Sequence, residues 1–294
     1  MGTSERFTQV YNRSKEIFFD NSSKLIFFSD CHRGDSSWAD DAIYNRDLFL
    51  YALDYYYDRN YTYIEVGDGD ELWKNRSFPV ILQSHDSVFQ QIKKFHDAGR
   101  LYMLYGNHDI VKKNEKFVQK NLYQYYNYTT QRFEPLFDNI KIHEGLILRY
   151  MNSPVTIFVI HGHQGDLMND RLWPIARFMV RYLWRPLELL GIRDFTSPAK
   201  NDYRSDPIER NIMNWAKNNQ RMVIAGHTHR PAFPEPGAAP YFNTGSCVQK
   251  GFLTGIEIQN GQIAMVKWSI KAENGRALYV SREIIAGPEK LEAF

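Results

Sequence analysis

Five short polar clusters in this chain contain the residue types that hold divalent metal ions. In chain order they are Asp30-Cys31-His32, Gly67-Asp68, Gly106-Asn107-His108-Asp109, His161-Gly162-His163 and Gly226-His227-Thr228-His229. Imidazole nitrogens combined with carboxylate and amide oxygens suit Mn, Fe, Zn or Co better than Ca or Mg alone. Two such ions, about 3.5–4 Å apart, can clamp a phosphoryl group and generate a hydroxide nucleophile near neutral pH. The clusters therefore indicate a two-metal site for phosphoryl chemistry.

The spacing within the clusters suggests how neighbouring ligands share a metal. Side chains alternate across an extended backbone, so residues two apart point the same way. We therefore expect Asp30 and His32 to face one centre, and His227 and His229 to do the same. Asp68, with two carboxylate oxygens, is the expected bridge between the two ions.

Each cluster follows an apolar, β-branched or aromatic run that is typical of a buried strand. The runs occupy residues 25–28, 61–66, 101–105, 156–160 and 222–225. In α/β sheets the loops at the carboxyl ends of strands converge in one crevice, where ligands bind. We therefore expect all five clusters to lie on loops that converge in one crevice.

The string D-x-H, G-D, G-N-H-D, H-G and G-H-x-H resembles the calcineurin-like metallophosphoesterase superfamily over roughly residues 24–250. The segment Asn243-Thr244-Gly245-Ser246 also resembles one common in that superfamily. The resemblance implies two sets of ligands that share one carboxylate. The first ion would be held by Asp30, His32, Asp68 and His229, and the second by Asp68, Asn107, His161 and His227.

The same resemblance implies roles for the residues beside the ligands. His108 would contact the phosphate and protonate or stabilise the leaving oxygen, next to Asn107, which we also place among the substrate-binding residues. Asp109 could orient the imidazole, since a carboxylate bonded to a histidine fixes its tautomer. In the fourth cluster, His163 competes with His161 as the ligand; we prefer His161 because it directly follows the strand.

Length and composition favour one α/β domain covering residues 1–294. The chain has 43 % apolar residues, enough for a large single core, and the clusters span most of its length. The βαβ pattern is followed by antiparallel strands at 241–243, 252–258, 262–269 and 277–281. Helices are predicted at 40–57, 79–98 and 114–126. This pattern suggests two mixed sheets face to face with helices outside, which is the four-layer αββα sandwich that the resemblance implies.

Charge and targeting signals narrow the function classes. A net charge of +2 from 36 basic and 34 acidic residues gives no general signal for nucleic acid or membranes. Residues 1–24 contain no apolar signal-peptide core. The only cysteines, Cys31 and Cys247, cannot form a disulfide framework. A reducing cytoplasm is therefore the expected location.

Residues 167–218 predict a helical, lid-like insertion directly after the fourth cluster. Arg177, Arg181 and Arg185 follow at steps of four, which places them on one stripe of a helix that Pro186 should end or kink. A polar stretch at 197–205 and a helix at 207–218 complete the segment. Two interpretations stay open. The segment is a helical hairpin packed on the core with a solvated arginine stripe, or it is a lid with apolar walls for an acyl chain, arginines for phosphate and contact with the membrane surface.

The placement of this insertion resembles the lid of UDP-2,3-diacylglucosamine hydrolase-like members of the superfamily. The chain departs from their pattern at His108, where that group has arginine, and by the residues His163-Gln164 before Gly165-Asp166. An imidazole can act as a general acid near neutral pH, whereas arginine cannot. At this position the chain therefore resembles the broad phosphodiesterases of the superfamily more closely.

The expected function is a dinuclear metal phosphohydrolase in which a metal-bridging hydroxide attacks a phosphodiester or pyrophosphate bond. Mn²⁺ is the expected ion, with Fe, Zn or Co as alternatives, and the substrate is a phosphorylated small molecule or nucleotide-lipid. Arg33, Arg177, Arg181 and Arg230 are candidate phosphate contacts, although Arg33 and Arg230 could equally be ordinary surface residues. A nuclease, a phosphomonoesterase and a non-catalytic scaffold are the alternatives; the weak net charge argues against nucleic acid.

Overall fold

The computed structural model of the protein describes residues 2–190, 207–273 and 277–294. The polar stretch predicted at residues 197–205 lies outside this part of the chain. Two large mixed sheets and a separate two-stranded hairpin account for the described strands.

The larger sheet has seven strands and carries the first three clusters at its parallel end. Its strands are β2 Lys24–Phe28, β3 Thr62–Val66, β4 Leu101–Leu104, β7 Ile142–His143, β13 Phe252–Gln259, β14 Gln262–Glu273 and β15 Ala277–Lys290. Their order is β15-β14-β13-β2-β3-β4-β7. Strands β2, β3, β4 and β7 are mutually parallel. Strands β13, β14 and β15 continue the sheet from β2, and each is antiparallel to the neighbour before it.

The second sheet has six strands and carries the fourth and fifth clusters. It comprises β1 Lys15–Phe19, β8 Gly145–Tyr150, β9 Thr156–Ile160, β10 Met222–Ala225, β11 Pro231–Ala232 and β12 Tyr241–Thr244. Their order is β1-β8-β9-β10-β12-β11, with β9, β10 and β12 parallel. The hairpin of β5 Gln124–Asn127 and β6 Arg132–Pro135 stands apart from both sheets.

Helices cover the outer faces of both sheets. The α-helices are α1 Thr3–Arg13, α2 Arg46–Asp58, α3 Phe78–Ser84, α4 Asp86–Asp97, α5 Glu115–Leu122, α6 Trp173–Met179, α7 Arg185–Leu189 and α8 Pro207–Asn219. Helices α2 and α4 pack on the seven-stranded sheet, whereas α1 and α8 pack on the six-stranded one.

Three apolar clusters hold the layers together. The central one lies between the sheets, where Phe27 and Ile64 of the first meet Leu148 and Ile224 of the second. The other two lie beneath the helices on either side. Since burial of one large apolar side chain contributes about 1.5–3 kcal/mol, this stacking fixes the sheets face to face. The predicted four-layer αββα sandwich of two mixed sheets is confirmed.

Several element boundaries differ from the prediction. The helix expected at 114–126 ends at Leu122, and the tyrosine-rich residues that follow form β5, because aromatic side chains favour strands. The single helix expected at 79–98 is divided into α3 and α4. The last two strands are longer than predicted: β14 continues to Glu273 and β15 to Lys290.

Residues 167–190 contain a π-helical turn at Leu167–Arg171, helix α6, a second π-helical turn at Val180–Trp184 and helix α7. Pro186 lies directly after the second π-helical turn, where this element gives way to α7. It occupies the first turn of α7, where a missing backbone N–H breaks no helical hydrogen bond. None of the residues in these four elements is buried.

Within the described residues, no helix combines the length and apolar character that crossing a membrane requires.

Candidate metal centre

The first group of candidate ligands comprises Asp30, His32 and His229. One potential ligand atom from each lies within 4.8 Å of the others. The His229 Nε2 atom is 3.2 Å from Asp30 Oδ1 and 3.2 Å from His32 Nε2. These residues leave β2 of one sheet and β10 of the other, so the group forms where the two sheets meet.

The second group comprises Asp68, His161 and His227, with Asn107 beside it. The His161 Nε2 atom lies 3.1 Å from Asp68 Oδ2 and 3.2 Å from Asn107 Oδ1. The other ring nitrogen, Nδ1, is 2.9 Å from the Val66 carbonyl oxygen. An Nδ1–H that donates to this carbonyl leaves Nε2 with a lone pair for a metal ion.

Asp68 lies between the two groups. Its Oδ2 atom is 3.1 Å from His161 and 3.9 Å from His32 Nε2, and its Oδ1 accepts a hydrogen bond of 2.8 Å from the His108 backbone N–H. All seven predicted ligands therefore converge, with Asp68 in the position expected of a bridge.

The chemistry of the donor set fits divalent cations. Asp30 Oδ1 is buried and has no hydrogen bond of good geometry among the described residues, although imidazole nitrogens of His229, His32 and His161 lie 3.2, 3.8 and 4.0 Å from it. A buried carboxylate oxygen in this state is costly unless a cation binds it. Burial raises the pKa of Asp30, but the facing imidazoles of His229 and His161 hold it well below its usual range. Burial has the opposite effect on an imidazole and lowers the pKa of His161. The carboxylates of Asp68 and Asp30 outweigh this and raise it to about 9. The carboxylates thus attract positive charge, which a metal ion would supply in place of a proton.

The backbone reason for this convergence differs from the one predicted. Asp30, His32, Asp68, His227 and His229 all have positive φ angles, between 46° and 72°. They are therefore in the left-handed region rather than extended, so strand alternation does not align them. Such a conformation costs about 1–2 kcal/mol per residue outside glycine and is concentrated at functional sites.

Glu71 is a site residue that the sequence interpretation missed. Its carboxylate lies 2.8 Å from His108 Nδ1 and 3.2 Å from His32 Nδ1, so it joins the candidate acid to a candidate ligand. Burial raises the pKa of Glu71, but the His108 imidazole lowers it well below its usual value. The signal was present, because Glu71 follows the predicted bridge Asp68 by three residues on the same loop.

Asp109 does not contact the His108 imidazole, so the prediction that it orients this ring is corrected. Its buried carboxylate accepts hydrogen bonds of 2.7 Å from the Gly106 backbone N–H and 2.7 Å from Lys112 Nζ. The His108 ring instead stacks on Trp73, with the centroids 4.4 Å apart and the planes at 22°. Glu71 and Trp73 together fix the orientation of this ring.

His161, and not His163, contributes to the ligand groups. His163 is fully buried and neither ring nitrogen has a hydrogen-bond partner among the described residues. Burial, and then the nearby imidazole of His161, hold the pKa of His163 well below its usual value. A neutral His163 thus lies beside the second group without belonging to it.

Residues 167–190 reach the second group through Asn169. The Asn107 side-chain N–H donates to Asn169 Oδ1 over 3.3 Å, and Asn169 in turn donates to Asp166 Oδ2 over 2.8 Å. Because the amide nitrogen of Asn107 is held on this side, its oxygen faces His161 and the proposed metal position. Asn169 therefore fixes the amide orientation that a metal ligand needs.

The candidate phosphate-binding arginines have different surroundings. The Arg33 guanidinium is buried and bonded to Glu65 and Asp70, a placement that does not support contact with substrate. Arg181 donates to the backbone carbonyls of Leu72, Trp73 and Asn75. Arg177 lies over the Trp173 ring at 4.7 Å, and Arg230, next to His229, is partly buried. The described structure gives no direct support for substrate contact by this set.

Comparison with known proteins identifies a family. A family model described as calcineurin-like phosphoesterase matches residues 23–231, more than half of the chain. No match was found among curated proteins.

The solved structures that match are distant. A predicted phosphoesterase from Streptococcus pneumoniae is 12 % identical, with a TM-score of 0.36 over 89 % of this chain and 98 % of its own. Vps29 from Chaetomium thermophilum is 10 % identical, with a TM-score of 0.43 over 90 % and 95 %. A cold-active protein-tyrosine phosphatase from Shewanella is 12 % identical, with a TM-score of 0.39 over 90 % and 83 %. At these values the matches have no bearing on substrate or partner.

Replacement of Asn169 by alanine should weaken metal binding. The substitution removes the acceptor that orients the Asn107 amide, and loss of such a partner typically lowers metal affinity about 10- to 100-fold. Calorimetric titration of the metal-free protein with Mn²⁺ measures this affinity. The matched control is Met168→Ala, which alters the neighbouring exposed side chain and should bind Mn²⁺ as the parent does. Equal affinities for Asn169→Ala and the parent would contradict this role.

Proposed function

Because the chain belongs to the calcineurin-like phosphoesterase family, we propose that it is a dinuclear metal-dependent phosphohydrolase acting on a phosphodiester or pyrophosphate bond. The observation that carries the proposal is the position of Asp68 between two groups of ligand atoms, each group within 4.8 Å. One ion would be held by Asp30, His32, Asp68 and His229. The other would be held by Asp68, Asn107, His161 and His227.

The bound ions would supply Lewis-acid stabilisation of the phosphoryl oxygens and activate water near neutral pH. Mn²⁺ is the proposed ion, with Fe, Zn and Co as alternatives that suit the same mixed ligands. The protein's own contribution is to hold these ligands in place before substrate arrives. The hydrogen bond of His161 to Val66 and the contact of Asn107 with Asn169 serve that purpose.

His108 is the proposed general acid. Its Nδ1 atom is engaged by Glu71, which leaves Nε2 as the nitrogen that can donate a proton to the leaving oxygen. A carboxylate bonded to one ring nitrogen of an imidazole fixes its tautomer. Trp73 restricts the ring from one face. Glu71 is then a positioning residue that acts through His108.

The finer proposal is a substrate with an acyl chain, such as a nucleotide-lipid. Two arginines of residues 167–190 bind the loops beneath the segment. Arg181 donates to three backbone carbonyls, and Arg185 contacts Asp35 over 2.5 Å. Trp173 and Trp184 are half-buried, but many other large apolar side chains of the segment lie on the surface, namely Leu167, Met168, Ile175, Phe178, Met179, Tyr182, Leu183, Leu189 and Leu190. A structural hairpin would bury this apolar face. An apolar surface next to the metal centre supports a lid that meets an acyl chain or a membrane surface.

Hydrolysis of bis-p-nitrophenyl phosphate by the Mn²⁺-loaded protein tests the proposed activity. Asp68→Asn keeps the shape of the bridge and removes its charge, so we expect turnover to fall by at least about 100-fold, which corresponds to the several kcal/mol that metal ions contribute. The control is Asp58→Asn, an exposed carboxylate at the end of α2. If Asp68→Asn retained full turnover, the hydrolysis would come from elsewhere and the assignment would fail.

A double-mutant cycle tests the coupling of Glu71 to His108. Glu71→Gln and His108→Ala should each lower turnover about 10²-fold or more, which is typical of general acid catalysis. The double variant should be no slower than His108→Ala alone, because residues that act as a unit are not additive. Metal content is measured in parallel, since Glu71 also contacts His32. Additive losses with full metal content would show that Glu71 does not act through His108.

A comparison of two substrates tests the acyl-chain proposal. UMP release from UDP-2,3-diacylglucosamine should proceed, and Phe178→Ser should raise its KM about tenfold or more, because an exposed phenylalanine that covers a chain contributes about 1.5–3 kcal/mol. The same variant should leave the small aryl diester unaffected. The control is Phe18→Ser, an equally exposed ring on β1. Cleavage of the diester without the lipid, or of a DNA oligomer in a salt-sensitive manner, would reject the lipid substrate and keep the metal mechanism.

A further inference from the structure

A groove of about 710 Å³ lies between α3, α4, α5 and the β5–β6 hairpin. None of the proposed metal ligands lines it, and its wall is formed by the hairpin that stands apart from both sheets. Its size is that of a small-molecule or oligomer site rather than of a packing defect. The groove is therefore a candidate binding site separate from the metal centre.

Three aromatic rings form one wall of the groove. Tyr126 packs edge to face against Tyr128, with centroids 5.0 Å apart, and against Phe133 at 5.3 Å. The rings of Tyr128 and Phe133 are nevertheless 66 % exposed. Exposed rings held by a shared neighbour form a preformed apolar platform, and apolar surface of this kind commonly marks a binding site.

Apart from Pro79, Leu82 and a fourth ring, Tyr125, the remaining lining is polar and almost uncharged. It includes the side-chain amides of Gln83, Gln90, Asn121, Gln124 and Asn127. Each amide has two N–H donors and a carbonyl acceptor. Gln90 already donates to Asp86, Asn121 to the Phe117 carbonyl and Asn127 to Glu134, so each of these three keeps one N–H for a ligand. Among the described residues that line the groove, only Lys120 and Asp86 are charged. They have opposite signs, and Asp86 already accepts a hydrogen bond of 3.2 Å from Gln90.

This combination selects among ligand classes. A phosphate or a polyanion would need an excess of basic groups, which the lining lacks. An acyl chain would leave the remaining N–H and carbonyl groups of these amides without partners, at a cost in free energy. A ligand with apolar C–H faces and many uncharged hydroxyl groups satisfies both surfaces, because its C–H faces cover the rings while its hydroxyls pair with the amides.

We propose that this groove binds a neutral oligosaccharide, with sugar rings against Tyr128 and Phe133 and hydroxyl groups hydrogen-bonded to the amides of Gln83, Gln90 and Asn121. The proposal does not depend on phosphohydrolase activity, because the groove and the metal centre share no proposed ligand. Saccharide binding here would add a recognition function to the chain, separate from the proposed hydrolysis.

Calorimetric titration of the whole protein with cellohexaose, chitohexaose and maltohexaose tests the proposal. We expect at least one of these neutral oligosaccharides to bind, and Phe133→Ala and Tyr128→Ala to weaken that binding by about tenfold or more, because each removes a ring from the platform. Both side chains are largely exposed, so the variants should fold, which circular dichroism checks. Phe18→Ala, which removes a comparably exposed ring outside the groove, should bind as the parent does.

Two results would overturn the proposal. One is the absence of heat from all three oligosaccharides at millimolar concentration. The other is binding that persists unchanged in both Phe133→Ala and Tyr128→Ala, since the groove would then not be the site. Neither result would affect the hydrolysis assays at the metal centre, so the two proposals are tested independently.

Discussion

Two buried cations, Arg33 and Lys112, tie together the three loops that carry the ligands of the seven-stranded sheet. Arg33 bonds to Glu65 on β3 and, through Nε at 2.8 Å, to Asp70 beyond the bridge Asp68. Lys112 bonds to the same Asp70 at 2.6 Å and to Asp109 at 2.7 Å, two residues beyond Asn107. Burial of so many charges costs free energy that their mutual attraction only partly returns, whereas loss of one partner typically costs about 3–5 kcal/mol. We infer that the main effect of this network is to fix the three loops relative to one another, and that its contribution to the stability of the fold is smaller.

The strained backbone of the ligand residues is held in place by the same charge network of Arg33 and Lys112. Five ligands have left-handed backbone conformations, which would relax if the loops were free. Backbone hydrogen bonds from Asp30 to Gly67 (3.1 Å) and from His32 to Asp68 (2.9 Å) join the loops after β2 and β3 directly. The charge network lies immediately beyond these bonds. Strain, hydrogen bonds and buried ion pairs thus act on a few adjacent residues. Together they hold the carboxylates and imidazoles of the site close to one another despite the cost of burying them.

The sequence was sufficient for the layout of the fold and for the convergence of the ligands, because apolar runs that end in polar clusters reflect local chain properties. It was not sufficient for the partners of those ligands. Asp109 and Glu71 are both acidic residues near His108, and only the three-dimensional path of the loop decides that Glu71 meets the imidazole while Asp109 meets Lys112. Arg33 illustrates the same limit, since an arginine beside a ligand suggests substrate contact until its burial against Glu65 and Asp70 is known. The longer reach of β15 also depends on pairing with β14, which local propensity does not encode.

Residues 167–190 are joined to the loops of the metal centre by several polar contacts. Arg181 binds carbonyls of the loop that contains Glu71 and Trp73, both of which contact His108, and Asn169 binds the proposed ligand Asn107. Lys74 on the same loop pairs with Glu188 at 3.1 Å. Polar contacts of this kind are exchanged for water at little cost, whereas an apolar interface is not. The contacts of the segment with these loops are therefore readily exchanged, while several of its large apolar side chains face outward. A ligand that covers the outward apolar side chains would contact the segment whose other side chains help to orient His108 and Asn107. Substrate binding and the geometry of the metal centre are therefore physically linked.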